Sequence, residues 1–357
     1  MSTDTLTIST QPVAKSRISE LDFNNIEFGK IFSDHMLVAD FKDGAWQSPQ
    51  IVPYGNMSLS PATSAIHYGQ AIFEGMKAYR SADGDILLFR PYDNFKRLNI
   101  SADRMCIPEI PEEIFMQGLE QLLRVDAAWV PPTAGSALYI RPFMFATDDF
   151  IGVRPSSNYR FTIFSCPVAA YYSAPVKVAI ETNYVRSAEG GAGYAKAAGN
   201  YGAALYPAKK MQEKGYQQLI WTDAKEHKYI EESGTMNVMF VIDGVLITPS
   251  VSSTILAGIT RDSVLQVARD MGYKVEERKV SVAEIVEAHK AGTLQEAFGT
   301  GTAATIAQIA TIYYNGEDMD LPAVEGREIS NRVAQELDRI KTGQAPDPYN
   351  WVYRISL

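Results

Sequence analysis

Gly190-Gly191-Ala192-Gly193-Tyr194-Ala195-Lys196-Ala197-Ala198-Gly199-Asn200-Tyr201 sets one lysine among glycines and alanines. Small neighbours let a flat ligand approach the backbone, and partial desolvation disfavours the charged form of an amine, leaving it free to attack a carbonyl. Lys196 therefore fits a lysine that forms a Schiff base. An exposed lysine in a loop is the plain alternative. A phosphate-binding P-loop is excluded by spacing, because Ala197 follows Lys196 and leaves no hydroxyl for Mg²⁺.

Downstream, Tyr229-Ile230-Glu231-Glu232-Ser233-Gly234-Thr235-Met236-Asn237 sets carboxylates at a turn before a strand. A carboxylate there can pair with a protonated pyridine nitrogen and keep the ring an electron sink, although adjacent glutamates are more often solvated surface charge. Gly258-Ile259-Thr260 opens an amphipathic helix whose free N–H groups suit an anion, with ordinary capping by Thr260 as the alternative. Phe298-Gly299-Thr300-Gly301-Thr302-Ala303-Ala304 is a second loop able to donate to phosphate or carboxylate oxygens. Upstream, Arg97 follows Arg90-Pro91 and offers a guanidinium suited to phosphate, or a surface charge.

The chain has 357 residues, enough for about two domains. A net charge of −9 with no basic run argues against a nucleic-acid partner. Two cysteines and four isolated histidines give no disulfide framework and no metal-ligand spacing. With no signal peptide and no apolar run of spanning length, a soluble cytoplasmic protein is expected.

Strand signals fill the first hundred residues, with Met76–Arg80, a turn at Asp83-Gly84, and Ile86–Phe89. Asp93 is expected to cap a helix carrying Phe95, Leu98, Ala102 and Met105, and a second helix begins near Pro111. Buried strands are expected at 136–146 and 161–168, and a helix-like run over 201–214. A hairpin follows at 238–247 around Asp243-Gly244, then helices at 260–271, 282–290 and 329–341. The turn-rich stretch near Pro175 suggests an N-terminal domain over 1–170, a linker over 171–176 and a C-terminal domain carrying the lysine over 177–357.

Taken together, the motifs resemble the branched-chain aminotransferases of the fold-type IV pyridoxal-phosphate (PLP) enzymes. The likeness runs from about Phe28 to Ala303. It includes His67-Tyr68, Phe73-Glu74-Gly75-Met76-Lys77-Ala78, Phe89-Arg90-Pro91 with Asn94 and Arg97, and Leu138-Tyr139-Ile140-Arg141-Pro142. It continues through Lys196 with Gly199-Asn200-Tyr201, Glu232-Ser233-Gly234-Thr235-Met236-Asn237 and the Gly299–Ala303 loop.

The resemblance implies an α/β fold in two domains, a small N-terminal one and a larger C-terminal pseudo-barrel. By it, Lys196 holds PLP and shuttles the substrate proton, Glu232 pairs with the pyridine nitrogen, and Tyr201 lies near the cofactor's O3′. Arg97, Ile259, Thr260 and Thr302 cradle the phosphate, Ile259 through its backbone. Phe28, Tyr68, Phe73, Tyr139 and Tyr171 surround the substrate. Arg141 accepts the second carboxylate of glutamate, and the turns at Thr235 and Ala303 bind the α-carboxylate. The implied reaction moves an amino group between Leu, Ile or Val and 2-oxoglutarate, in a homodimer whose loop at Ile151 and Val153 covers the neighbouring site.

Two departures from the family pattern stand out. Ala304 and Ala307 stand where animal members carry a CxxC pair, and Ala197-Ala198 replaces a glycine-rich pair after the lysine. D-amino-acid aminotransferases and aminodeoxychorismate lyases share the fold and cofactor, but Tyr68, Tyr139 and Arg141 argue against them. A non-catalytic PLP-binding scaffold is opposed by the intact Lys196 and Glu232.

Overall fold

The computed structural model describes residues 6–23, 25–27, 29–169 and 174–357. The chain forms two units, Met1–Tyr171 with Ala195–Gly199 and Ile340–Leu357, and Tyr172–Tyr194 with Asn200–Arg339.

In the first unit, strands Met76–Arg80 and Ile86–Phe89 form the expected antiparallel hairpin, with Gly84 at φ 90°, a conformation that favours glycine. The sheet runs in the order Ser9–Thr10, Gln50–Pro53, His35–Lys42, Tyr159–Val168, Ala137–Ala146, Met76–Arg80, Ile86–Phe89, Val352–Ile355. At its centre Ala137–Ala146 and Tyr159–Val168 stay in register from Ala137↔Val168 to Ala146↔Tyr159. Both strands are buried along nearly their whole length, so their sequences read as apolar runs rather than as alternation.

Helices Pro91–Arg104 and Glu112–Val125 pack Leu98, Ala102, Phe115, Leu119 and Leu122 into the same core as Leu37, Ile72 and Met76. Each large apolar side chain of this set contributes about 1.5–3 kcal/mol by leaving water. The first of these helices is not capped by Asp93, as the sequence suggested. Pro91 takes the first helical position, where its fixed φ is already helical, and Arg90 is the cap residue at φ 54°. Asp93 lies in the first turn and accepts a 2.6 Å bond from Arg90 Nε.

The second unit closes on itself. Strand Ile230–Ser233 pairs with both Gln218–Thr222 and Met236–Ile242. The pairing continues through Val176–Ile180, Thr305–Tyr314 and Leu294–Gly301 back to Met236–Ile242, so six strands form a ring with no free edge between them. This is the pseudo-barrel. Val178, Ile220, Ile230, Val238, Phe240, Ile309 and Ile312 form its core cluster with Val282 and Ile285 of helix Val282–Lys290. The hairpin to Val245–Thr248 turns at Asp243 and Gly244, both at positive φ as a two-residue primed turn requires.

Two expectations are corrected by the packing. The run over 201–214 is two short helices, Ala198–Gly202 and Leu205–Gln212, because Pro207 is tolerated only in a first turn and so fixes a new helix start just before it. A single boundary at 171–176 also does not describe the chain. Ala197 bridges to Ile72, and Val352–Ile355 pairs with Ile86–Phe89, which draws both segments into the first unit and makes it the larger of the two. Among the described residues no helix is long and apolar enough to cross a membrane.

Candidate active site

In the first unit, the small residues around Lys196 have a structural reason. Ala195 and Ala197 are buried in the core at 1% and 2% exposure, while Lys196 between them is half-buried. Two hydrogen bonds pin its backbone. Lys196 N–H donates to Ser101 Oγ at 2.9 Å, and its carbonyl accepts from Phe73 N–H at 3.1 Å. Lys196 Nζ then lies 5.0 Å from the Phe73 ring centroid.

The same ring also faces a guanidinium. Arg141 Cζ lies 4.6 Å from the Phe73 centroid, and Nη2 donates to Tyr139 Oη at 2.9 Å. Arg141 Nε is buried with no hydrogen-bond partner among the described residues, a donor that a ligand carboxylate would satisfy. Gly75 makes room for this group, because a Cβ there would stand 2.3 Å from Tyr139 Oη. Lys196, Phe73, Tyr139 and Arg141 are thus brought together.

Arg97 is oriented by a residue not singled out in the sequence. Glu74 is fully buried and takes Arg97 Nε and Nη2 at 2.7 and 2.8 Å, a two-pronged pair, with Asn94 Nδ2 at 3.1 Å. The only signal for Glu74 was one acid inside an apolar motif. Ser101, which holds Lys196, was likewise missed; its signal was a small polar residue beside the apolar stripe of Leu98 and Ala102. Tyr68 ends helix Ser64–Tyr68, 39% exposed, and its ring neighbour is His67. Phe28 and Tyr171 lie outside the described residues. Ile151 and Val153 are 61% and 90% exposed.

In the second unit, Glu232 is 2% exposed on the short strand Ile230–Ser233. A bulge opposite Ile220–Thr222 gives this strand one residue more than its partner, a device that re-aims side chains. Both carboxylates of the pair then engage one segment. Glu232 Oε1 accepts from Leu256 N–H at 2.7 Å, and Glu231 Oε1 accepts from Thr254 Oγ1 at 2.6 Å. Glu232 Oε2 meets Arg186 Nε at 2.9 Å. Burial pushes the Glu231 carboxyl above its ordinary range, against the pull of the Thr254 hydroxyl and Arg186. Glu232, Tyr201, Thr235 and Leu256 line one cavity of about 200 Å³.

The residues expected to bind an anion in this unit lie on three turns. Gly258, not Thr260, precedes helix Ile259–Asp270 as its cap, and a Cβ there would stand 1.9 Å from Asn237 Oδ1. Thr260 is buried as the second helical residue. Thr302 and Ala303 form the turn between Leu294–Gly301 and Thr305–Tyr314. Thr235 forms the turn before Met236, and since Asn237 pairs with Thr300, these two turns emerge at the same end of neighbouring strands.

The second unit's ring with its buried acid and the first unit's lysine between alanines are parts of a chain of a recognised class. Residues 71–312 match the family model described as amino-transferase class IV, and the chain belongs to that family. It is 44% identical over 339 residues to branched-chain-amino-acid aminotransferase 2 of Bacillus subtilis, covering 94% of this chain and 93% of that protein. Among solved structures it matches the branched-chain aminotransferase of Thermoproteus uzoniensis with norvaline, at TM-score 0.76 and 25% identity over 90% of this chain and 100% of that one. The branched-chain amino acid aminotransferase of Escherichia coli matches at TM-score 0.70 and 26% identity, covering 89% and 99%.

Proposed function

We propose that this chain is a PLP-dependent transaminase that exchanges an amino group between Leu, Ile or Val and 2-oxoglutarate. The observation that carries the reading is the Phe73 ring, against which a nucleophilic amine, Lys196 Nζ, and an underused guanidinium, Arg141, are both held. The relatives named above support the substrate class.

The buried acid, the hydroxyl of Tyr201 and the anion-donating turns fit such a cofactor. PLP, when bound, supplies an aldehyde carbon for amines and a ring that accepts the electrons of a broken Cα–H bond. Lys196 Nζ would hold the cofactor covalently and, as a free amine, would take the proton from the substrate's Cα and return it to the cofactor's C4′. Glu232 holds a proton on the ring nitrogen, and Tyr201 donates to the ring oxygen. Arg97, the backbone N–H of Ile259, Thr260 and Thr302 hold the phosphate, with Arg97 kept in place by Glu74. Phe73, Tyr139 and Tyr68 give the apolar walls for a branched side chain. Such walls discriminate one methylene by only about 1–3 kcal/mol, which suits three related substrates.

Arg141 takes the distal carboxylate of glutamate, while Thr235 and Ala303 take the α-carboxylate. The working form is a cytoplasmic homodimer in which the exposed Ile151 and Val153 loop covers the partner's site. The test is amino transfer from L-leucine to 2-oxoglutarate, followed as glutamate formed, beside L-aspartate and D-leucine as donors. Preference for either of the latter refutes the assignment, and an active monomer by sedimentation refutes the dimer.

A further inference from the structure

Arg186 makes three directed contacts from a nearly water-free position. Its side chain is 7% exposed, with Nε on Glu232 Oε2 at 2.9 Å, Nη1 donating to Thr254 O at 2.9 Å and Nη2 to Gly193 O at 3.3 Å. The Thr254 carbonyl lies two residues before Leu256, whose N–H holds the other oxygen of Glu232. Arg186 and the 254–256 segment therefore grip the carboxylate from both sides. Gly193 is packed to match, since a Cβ there would stand 2.0 Å from Ser187 Oγ and 2.6 Å from Thr254 O.

A carboxylate this deeply buried takes up a proton unless a cation stands beside it, and a protonated acid cannot stabilise a cationic ring nitrogen. The planar fork of an arginine supplies that charge and also reaches two carbonyls in fixed directions, which a lysine ammonium cannot do. We propose that Arg186 is the positioning residue of Glu232. It keeps the carboxylate ionised, fixes its rotation before any ligand arrives, and ties it to the carbonyl of Gly193. This inference rests on the PLP reading given above.

The test uses Arg186→Gln and Arg186→Lys, each purified as the holoenzyme beside the wild type. The readouts are the pH midpoint of the cofactor's visible band, the rate of cofactor release into a trap, and KM against kcat for leucine. Glu231, which interacts with Arg186 and is itself faced by Glu189 and Asp223, is unchanged in both variants. Arg186→Gln is expected to release cofactor roughly tenfold faster or more and to lose kcat by a similar factor, as the loss of a hydrogen bond to a charged group requires. Its band midpoint should move, while KM for leucine stays nearly constant, because Arg186 is assigned no substrate contact. Arg186→Lys should fall between Arg186→Gln and the wild type, keeping the charge but not the fork.

If the wild type shows no visible band, the PLP reading fails. If the wild type binds normally and Arg186→Gln matches it in midpoint and release rate, the inference about Arg186 is overturned while the PLP reading survives. Should Arg186→Gln not fold, Arg186→Lys decides alone, and identity with the wild type overturns the inference.

Discussion

Gly75→Ala changes one hydrogen to a methyl and should redirect the substrate preference. The new Cβ would stand 2.3 Å from Tyr139 Oη and 3.0 Å from Cζ. Ordinary carbon contacts lie at about 3.5–4.0 Å, so the hydroxyl must retreat by more than about 1 Å. Tyr139 is 8% exposed within the strand Ala137–Ala146, and its hydroxyl accepts the 2.9 Å bond from Arg141 Nη2. A retreat of that size breaks the bond. A hydrogen bond to a charged group is worth about 1.5–3 kcal/mol, which corresponds to roughly 10- to 150-fold in rate. The loss should fall hardest on glutamate and 2-oxoglutarate, whose distal carboxylate uses Arg141, and less on leucine, which has none. Single-turnover kinetics of each half-reaction measure this directly. Equal losses for the two substrates, or none, would refute the coupling of Gly75, Tyr139 and Arg141.

Glu74→Gln should destabilise the cofactor-free protein by about 3 kcal/mol, because it leaves the buried Arg97 without its counter-charge. Thermal unfolding should show this as roughly a 4 °C drop in Tm, and a drop under about 1 °C would contradict it. Glu231→Gln tests pH dependence. Burial raises the folded carboxyl above its ordinary 4.5, so native Glu231 binds its proton more tightly than unfolded Glu231, and its contribution is favourable below that pH and is lost as pH rises through the raised value. The variant should therefore gain stability relative to wild type between acid and neutral pH in denaturant titrations, and a gap that shrinks with rising pH is the contrary result. Among the thiols, Cys106 is exposed while burial pushes Cys166 up to about 11. Maleimide at neutral pH should modify one cysteine per folded chain, and equal labelling of both would count against this packing.

Local chemistry made much of the fold legible. The turns at Asp83-Gly84 and Asp243-Gly244 sit where the sequence indicates because their backbone needs are local. Helix Val282–Lys290 is likewise signalled by Gly292 just past its end, which takes a positive φ of 71°. Ring closure was not legible, since it depends on Val176–Ile180 pairing with Thr305–Tyr314 across more than a hundred residues. The same reason hides Arg186. Its partner Glu232 is distant in sequence, and nothing near Arg186 distinguishes it from a surface arginine. Glu74 stood inside a motif yet gave no sign of its role, because a buried acid is recognised only once its cation is found. Pro207 marks a helix start inside the run over 201–214, a local signal that a single helix-like reading of that run leaves out.

The most direct measurement is the absorbance spectrum of the purified protein loaded with PLP, recorded before and after leucine is added without any 2-oxo acid. The account predicts a visible band that leucine converts to the near-ultraviolet form and that 2-oxoglutarate then restores, with Lys196→Ala lacking the band from the start. A band that leucine leaves unchanged would contradict the branched-chain assignment, and the absence of any band in the wild type would contradict the role of Lys196.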